Sequence, residues 1–354
     1  MDELDHMSHA LALGRRTMGA TGKNPAVGCV LVKDGCVIGT GWTQEGGVPH
    51  AETEALRMAG DMARGATAYV SLEPCSHHGR TAPCAEALVA AGIERVVTAI
   101  EDPDPRVKGA GHARLRAAGL KVDSGLLAEE ARRDLSGFLS RITRGRPHVL
   151  LKLACSSDGM IAEAPGQRTS ITGEEAKFRT HLMRAKADAI MVGIRTVRAD
   201  DPHLTCRLPG LEHRSPVPVV VDGGLTIEAS RKLVSAAPRR PLLILTTTDA
   251  ASRPDLEAKG VEIIRCRSIE PGRLDLDHGL EQLARRGIGR LLVEGGANLA
   301  RQLIDAALVD EIALYRSPRE LGGRGVPAQL DLGRFQRTAE ESLGADVLTH
   351  YEKC

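Results

Sequence analysis

The sequence predicts an α/β fold in two domains, and three observations carry that prediction. Its 354 residues exceed what one hydrophobic core usually serves. Short β-branched apolar runs alternate with helix-like stretches along most of the chain. A basic break containing Gly and Pro, Arg141-Ile142-Thr143-Arg144-Gly145-Arg146-Pro147, separates two such alternations. The expected domains are 1–145 and 146–354.

Composition removes several function classes. With a net charge of +1 and only three Phe, three Tyr and one Trp, no nucleic-acid surface or base-stacking platform announces itself. The start, Met1-Asp2-Glu3-Leu4-Asp5, is acidic, so no signal peptide is visible, and no apolar run approaches a membrane span. Eight cysteines are scattered rather than set in a disulfide framework. The expectation is a cytoplasmic enzyme with neither nucleic acid nor membrane as partner.

In the first domain, residues 3 to 19 read as a helix, with Leu4, Met7, Leu11 and Met18 at partial helical spacing. Asn24-Pro25-Ala26-Val27-Gly28 leads into a strand through Val32. Asp34-Gly35 then turns the chain into Cys36-Val37-Ile38-Gly39 as a hairpin. Cys29 and Cys36, inside these strands, are expected to be core thiols. Helix 50–60, strand 66–72, helix 84–91, strand 96–100, helix 111–118 and strand 120–124 complete a mixed sheet covered by helices.

The chemistry lies between His50 and Cys84. His50-Ala51-Glu52, then Pro74-Cys75 and Pro83-Cys84, offer one imidazole and two thiols, the ligand set of a catalytic zinc with one position left for water. The glutamate two residues past the histidine matches the signature of zinc-dependent deaminases of nucleobases and related rings. Zinc lowers the pKa of bound water toward ~7, and Glu52 would shuttle the proton to the departing nitrogen. Residues i and i+2 share no helix face, so His50 and Glu52 converge only if the helix begins there, which Pro49 favours. Cys75 falls just past a strand end. Cys84 opens a helix, where the dipole should hold it as thiolate. Two bland readings stand beside this one: ordinary buried thiols, or a structural zinc with His77 or His78 as fourth ligand.

The second alternation comprises strand 149–154, helix 174–187, strands 189–192, 217–221, 242–245 and 261–264, helix 277–286, strand 291–293, helix 297–307 and strand 311–314. Glu294-Gly295-Gly296-Ala297-Asn298 follows a buried strand and opens a helix, where glycines let main-chain N–H groups approach a phosphate; a tight turn without ligand is the alternative. Gly323-Arg324-Gly325-Val326-Pro327-Ala328 formally fits a dinucleotide fingerprint but is rejected, because no helix follows it. Lys152, inside an apolar strand, either snorkels to the surface or points into a site.

These residues resemble the bifunctional riboflavin-biosynthesis deaminase/reductase family over nearly the whole chain. In the first domain the match is Asn24-Pro25-x-Val27-Gly28, His50-Ala51-Glu52 and the run from Leu72 to Cys84. In the second it is Lys152-Leu153-Ala154-x-Ser156-x-Asp158-Gly159, Arg184, Thr196-Val197, Asp200-Asp201-Pro202, Leu204-Thr205, Arg207 and Glu294-Gly295-Gly296. The resemblance implies a cytidine-deaminase-like domain followed by a dihydrofolate-reductase-like one. It implies Zn2+ on His50, Cys75 and Cys84, with Glu52 as proton donor. NADPH would meet Ala154, Ser170, Thr196, Asp200, Gly296, Ala297 and Asn298. A phosphorylated pyrimidine would meet Arg168, Arg184, Leu204, Arg207 and Glu294, with Asn24, His77 and Arg80 added as contacts in the deaminase pocket. A homo-oligomer is expected.

The chain departs from the family pattern at two places. Arg168-Thr169-Ser170-Ile171-Thr172 lacks the tryptophan that many members carry, and Gly223 replaces a small hydroxyl. An active deaminase beside an altered reductase is therefore kept as an alternative. A nucleic-acid base deaminase and a non-catalytic zinc scaffold are the rivals.

Overall fold

Apolar runs along the chain become the strands of two main sheets, one in each of two units, Met1–Gly145 and Arg146–Cys354, with two small two-stranded sheets in the second. The computed structural model describes residues 2–77, 82–164, 166–167, 169–323, 325–328 and 330–354.

The first unit runs α1 (Glu3–Gly14), β1 (Gly28–Lys33), β2 (Cys36–Trp42), α2 (Ala51–Ala59), β3 (Thr67–Val70), α3 (Cys84–Ala90), β4 (Arg95–Thr98), α4 (Ala110–Ala117), β5 (Lys121–Ser124), α5 (Ala128–Asp134) and α6 (Ser136–Arg144). The strand order is β2-β1-β3-β4-β5, with β1 antiparallel to β2 and β3, and the remaining pairs parallel. Asp2 and Asp5 form a reciprocal capping box that starts α1. Asp34 and Gly35, both at positive φ, make the hairpin turn. Helix α2 seats directly on β2 because Gly41 has no side chain: a Cβ there would lie 2.1 Å from the Ala51 carbonyl oxygen. That contact sets the helix start on which the site depends. Val30, Leu31, Val70, Leu88 and Leu115 anchor the core. One expectation fails here. Cys29 is buried but Cys36 is exposed, since it follows the turn on the edge strand β2. Of the basic break, residues 141–144 finish α6, and Gly145 at φ 67 ends it.

The second unit runs β6 (His148–Cys155), β7 (Met160–Ala162), α7 (Glu174–Ala185), β8 (Ala189–Gly193), α8 (Ile194–Asp200), β9 (Val217–Val221), α9 (Lys232–Ala236), β10 (Leu242–Thr247), α10 (Pro254–Glu257) and β11 (Val261–Cys266). It continues β12 (Ser268–Glu270), β13 (Arg273–Leu274), α11 (Leu276–Arg285), β14 (Arg290–Val293), α12 (Ala297–Asp305), β15 (Glu311–Arg316), β16 (Val326–Pro327), β17 (Phe335–Leu343) and β18 (Asp346–Lys353). Its large sheet has the order β11-β10-β9-β8-β14-β6-β15-β18-β17, parallel from β11 to β15 and closed by antiparallel β18 and β17. Burial alternates strictly along β6: Val149, Leu151, Leu153 and Cys155 are buried, and Lys152 points to the opposite face. Separate apolar clusters, one around Leu151, Val293 and Leu303, the other around Ile190, Val197 and Ile244, pack against this sheet. The sequence reading had no counterpart for the terminal hairpin β17–β18, because β17 is mostly exposed and carries no apolar alternation. After Ala328 the next element is β17 and not a helix, in line with rejecting the fingerprint.

Candidate active sites

In the first unit the three motifs converge. His50 is the N-cap of α2, Cys75 lies in the turn beyond β3, and Cys84 is the first residue of α3 after Pro83. The donor atoms of these three residues lie within 4.8 Å of one another. His50 Nδ1 stands 3.3 Å from Cys84 Sγ and 3.7 Å from Cys75 Sγ. The main-chain N–H of Cys84 donates to Cys75 Sγ at 3.3 Å. Two sulfurs and an imidazole this close fit a soft tetrahedral cation with one open position. Hydrogen bonding from the Cys84 thiol holds Cys75 down at about 4, while the same contact and burial push Cys84 up.

Glu52 occupies the first turn of α2 and is 4% exposed. Burial, then the nearby Cys75 charge, push its carboxyl up to about 7. His50, Glu52 and Cys75 line a cavity of about 470 Å³ together with Asn24 and His77. Asn24 Nδ2 donates to the Gly47 carbonyl at 2.7 Å, which fixes its amide. His77 Nδ1 is buried without a partner among the described residues. His77 does not join the three-donor cluster, so it is not a fourth ligand there; His78 and Arg80 lie outside the described residues.

The sequence reading missed the segment Asp102 to Val107, which lines the same cavity. Its signal was Asp102-Pro103-Asp104-Pro105, an acidic and proline-rich turn directly after a buried strand. Glu73 holds this segment by accepting the N–H groups of Asp102, Gly109 and His112 at 3.0–3.1 Å. Glu73, Glu101 and His112 also bring donor atoms within 4.8 Å, but both Glu73 oxygens are engaged by main chain.

In the second unit a cavity of about 630 Å³ is lined by Lys152, Ala154, Ser170, Thr196, Asp200, Glu294 and the start of α12 from Gly296 to Asn298. The N–H of Gly296 donates to Thr196 Oγ1 at 3.3 Å, so the two helix starts close on each other. Small residues and main-chain N–H groups at that end suit a phosphate-bearing cofactor. Lys152 therefore resolves toward the site, 5.2 Å from the centre of the Tyr315 ring and near Glu294.

Arg184 grips Glu294 through two bonds of 2.7 and 2.8 Å and donates to the Thr205 carbonyl at 2.9 Å. The Leu204 side chain is buried in the apolar cluster, so only its main chain can face a ligand. Arg207 is exposed; Arg168 lies outside the described residues. Gly223 is explained sterically, since a Cβ there would lie 2.0 Å from the Gly272 carbonyl oxygen. The β12–β13 turn occupies the space a hydroxyl side chain would need.

Two family models match this chain, one in each unit. Residues 1–100 match the cytidine and deoxycytidylate deaminase zinc-binding region, and residues 147–349 match the RibD C-terminal domain. The riboflavin biosynthesis protein RibD of Escherichia coli is 40% identical over 371 residues, covering 99% of both chains. That of Aquifex aeolicus is 35% identical over 355 residues, covering 99% of this chain and 98% of its own. Among solved structures, Acinetobacter baumannii RibD superposes with a TM-score of 0.90 at 34% identity, over 99% of this chain and 98% of that one. A deaminase/reductase of Thermotoga maritima gives 0.86 at 31%, with 99% and 98% covered. Zinc and NADPH are the cofactors of such chains. Together, the coverage of both domains by one set of relatives and the convergence of the motifs make this chain a member of the RibD family of bifunctional riboflavin-biosynthesis enzymes.

Proposed function

We propose that residues 1–145 deaminate and residues 146–354 reduce, so that one chain performs two successive steps of riboflavin biosynthesis. The first step converts a diaminopyrimidinone bearing a phosphoribosylamino group into the corresponding aminouracil, releasing ammonia. The second reduces the ribosyl group to ribityl. Among the described residues nothing in the site geometry favours an inactive reductase: Glu294 lines the cavity and is paired with Arg184. The observation that carries the reading is the convergence of His50, Cys75 and Cys84 beside the buried carboxyl of Glu52.

His50, Cys75 and Cys84 would hold zinc, which would supply the Lewis acid that makes water nucleophilic near neutral pH. Glu52 would take a proton from the attacking water and return it to the ring and the leaving nitrogen. Asn24 and His77 orient the pyrimidine against the cavity wall. In the second unit NADPH supplies the hydride. Ala154, Ser170, Thr196, Asp200 and the Gly296–Asn298 helix start hold the cofactor, while Arg207 and Arg184 anchor the substrate phosphate. Arg184 also fixes the Glu294 carboxylate at the substrate. A cytoplasmic homo-oligomer with no nucleic-acid partner completes the reading. The net charge of +1 supports its last part, and among the described residues no helix is long and apolar enough to cross a membrane.

The test is Glu52→Ala in the full chain, with ammonia and NADPH followed together. Zinc content should persist while ammonia release falls by about 10²–10⁴-fold. NADPH oxidation on supplied deaminated pyrimidine should continue. Wild-type deamination by the variant refutes the proton-transfer role. NADPH oxidation that ignores the deaminated pyrimidine refutes the reductase assignment.

A further inference from the structure

Arg240 joins α9 to β10, is partly buried, and pairs with no carboxylate among the described residues. Its Nη1 donates to the His203 carbonyl at 2.8 Å, and its Nη2 donates to the carbonyls of Leu204, at 2.7 Å, and Pro216. Its Nε is buried without a partner among the described residues. A partly buried guanidinium met only by carbonyl dipoles costs stability, because no opposite charge offsets its desolvation. Burial and the neighbouring Arg184 push it down to about 10, so it remains a cation at neutral pH.

The bonds of Arg240 belong to a larger pattern. Arg184 holds the next carbonyl, Thr205, at 2.9 Å. Ser215 Oγ accepts the Cys206 N–H at 3.0 Å, and His181 Nδ1 accepts the Arg207 N–H at 3.3 Å. Five consecutive residues, 203 to 207, thus each have a main-chain group pinned. Within them Leu204 adopts φ 53, a left-handed conformation that costs a branched residue of this size unless its surroundings hold it. Arg240 supplies that hold at two adjacent carbonyls.

We propose that Arg240 is a positioning residue of the reductase. It fixes the 203–207 segment so that Arg207 meets the phosphate end of the substrate, and its charge reinforces the field there without touching the ligand. This rests on the reading of Arg207 as a phosphate anchor.

The experiment uses the full zinc- and NADPH-competent chain with Arg240→Met, Arg240→Lys and Arg207→Gln. Reductase kinetics are measured on the phosphorylated deaminated pyrimidine and on its dephosphorylated form. Arg240→Met should raise KM for the phosphorylated substrate by about 10- to 100-fold, the span of a lost charge-assisted contact. Its kcat and its KM for NADPH should stay within about threefold, and preference for the phosphorylated form should fall. Arg240→Lys should show a smaller rise, since an ammonium keeps the charge but not the fork. A purely structural role would lower thermal stability without a KM change confined to the phosphorylated substrate.

Unchanged KM and phosphate preference in an Arg240→Met protein that still binds NADPH overturns the proposal. If that variant does not fold, wild-type values for Arg240→Lys overturn it. Loss of preference in Arg207→Gln alone would sink the role of Arg240 and leave the phosphate assignment standing. Preference intact in Arg207→Gln would sink both together.

Discussion

Asp310→Asn should cost the second unit about 3 kcal/mol, and the estimate follows from how the carboxylate is held. Asp310, just before β15, is 7% exposed. Burial alone would raise its pKa. Two bonds from Arg146 at 2.8 Å, the nearby His148 and the Val149 N–H at 2.8 Å outweigh that and hold it down at about 2, against an ordinary 3.8. At ~1.36 kcal/mol per pH unit, that depression corresponds to about 2 kcal/mol. Asparagine keeps an oxygen for Val149 but withdraws the countercharge from a largely buried guanidinium, a loss that ranges over ~3–5 kcal/mol when a buried pair is broken. The side chains are 10% and 6% exposed, so solvent screening takes little away.

The sign is set by the direction of the shift. A carboxyl depressed on folding contributes fully above its unfolded value and loses that contribution as pH falls toward the folded one. The wild-type advantage should hold from pH 7 to about 5, be roughly halved near pH 3, and be mostly gone by about pH 2. Urea unfolding followed by far-UV circular dichroism measures it. With a slope of ~2–3 kcal/mol/M, the midpoint should drop by about 1 M at pH 7. An unchanged midpoint at pH 7, or a difference undiminished at pH 3, refutes the charge account.

Two further outcomes follow from geometry. Gly223→Ser should destabilise the second unit by ~1–3 kcal/mol, because its Cβ would meet the Gly272 carbonyl at 2.0 Å; thermal melts check it, and wild-type stability would mean the β12–β13 turn moves freely. Cys84→Ser should leave less than stoichiometric zinc by elemental analysis while NADPH oxidation on supplied deaminated pyrimidine continues; full zinc content would remove Cys84 from the ligand set.

How much could be read in advance varied with how local each signal was. The metal-type cluster was legible because its parts sit at a strand end and at two helix starts, where proline, glycine and capping rules apply. The ordinary strands were legible from apolar runs. Cys36 was misplaced because alternation does not reveal which strand is the edge. Strand β17 was missed because an exposed antiparallel edge needs no apolar pattern, only a partner such as β18 to supply hydrogen bonds. The Asp102–Val107 wall was missed because its attachment is Glu73, a residue read only as part of a cysteine motif.

By itself, the order of residues determined the chemistry on offer: an imidazole, two thiols and a carboxylate at set spacings, and a second alternation containing a glycine-opened helix. Tertiary structure decided which of these groups meet and in what state. Lys152 could not be assigned to surface or site until β6 took its place between β14 and β15. The lowering of Cys75, the elevation of Glu52 and the clamp of Arg240 on 203–204 all depend on neighbours distant in sequence. The reason is physical: spacing along a chain fixes only local geometry, whereas desolvation and charge interaction depend on what packs within a few ångströms, and folding alone supplies that.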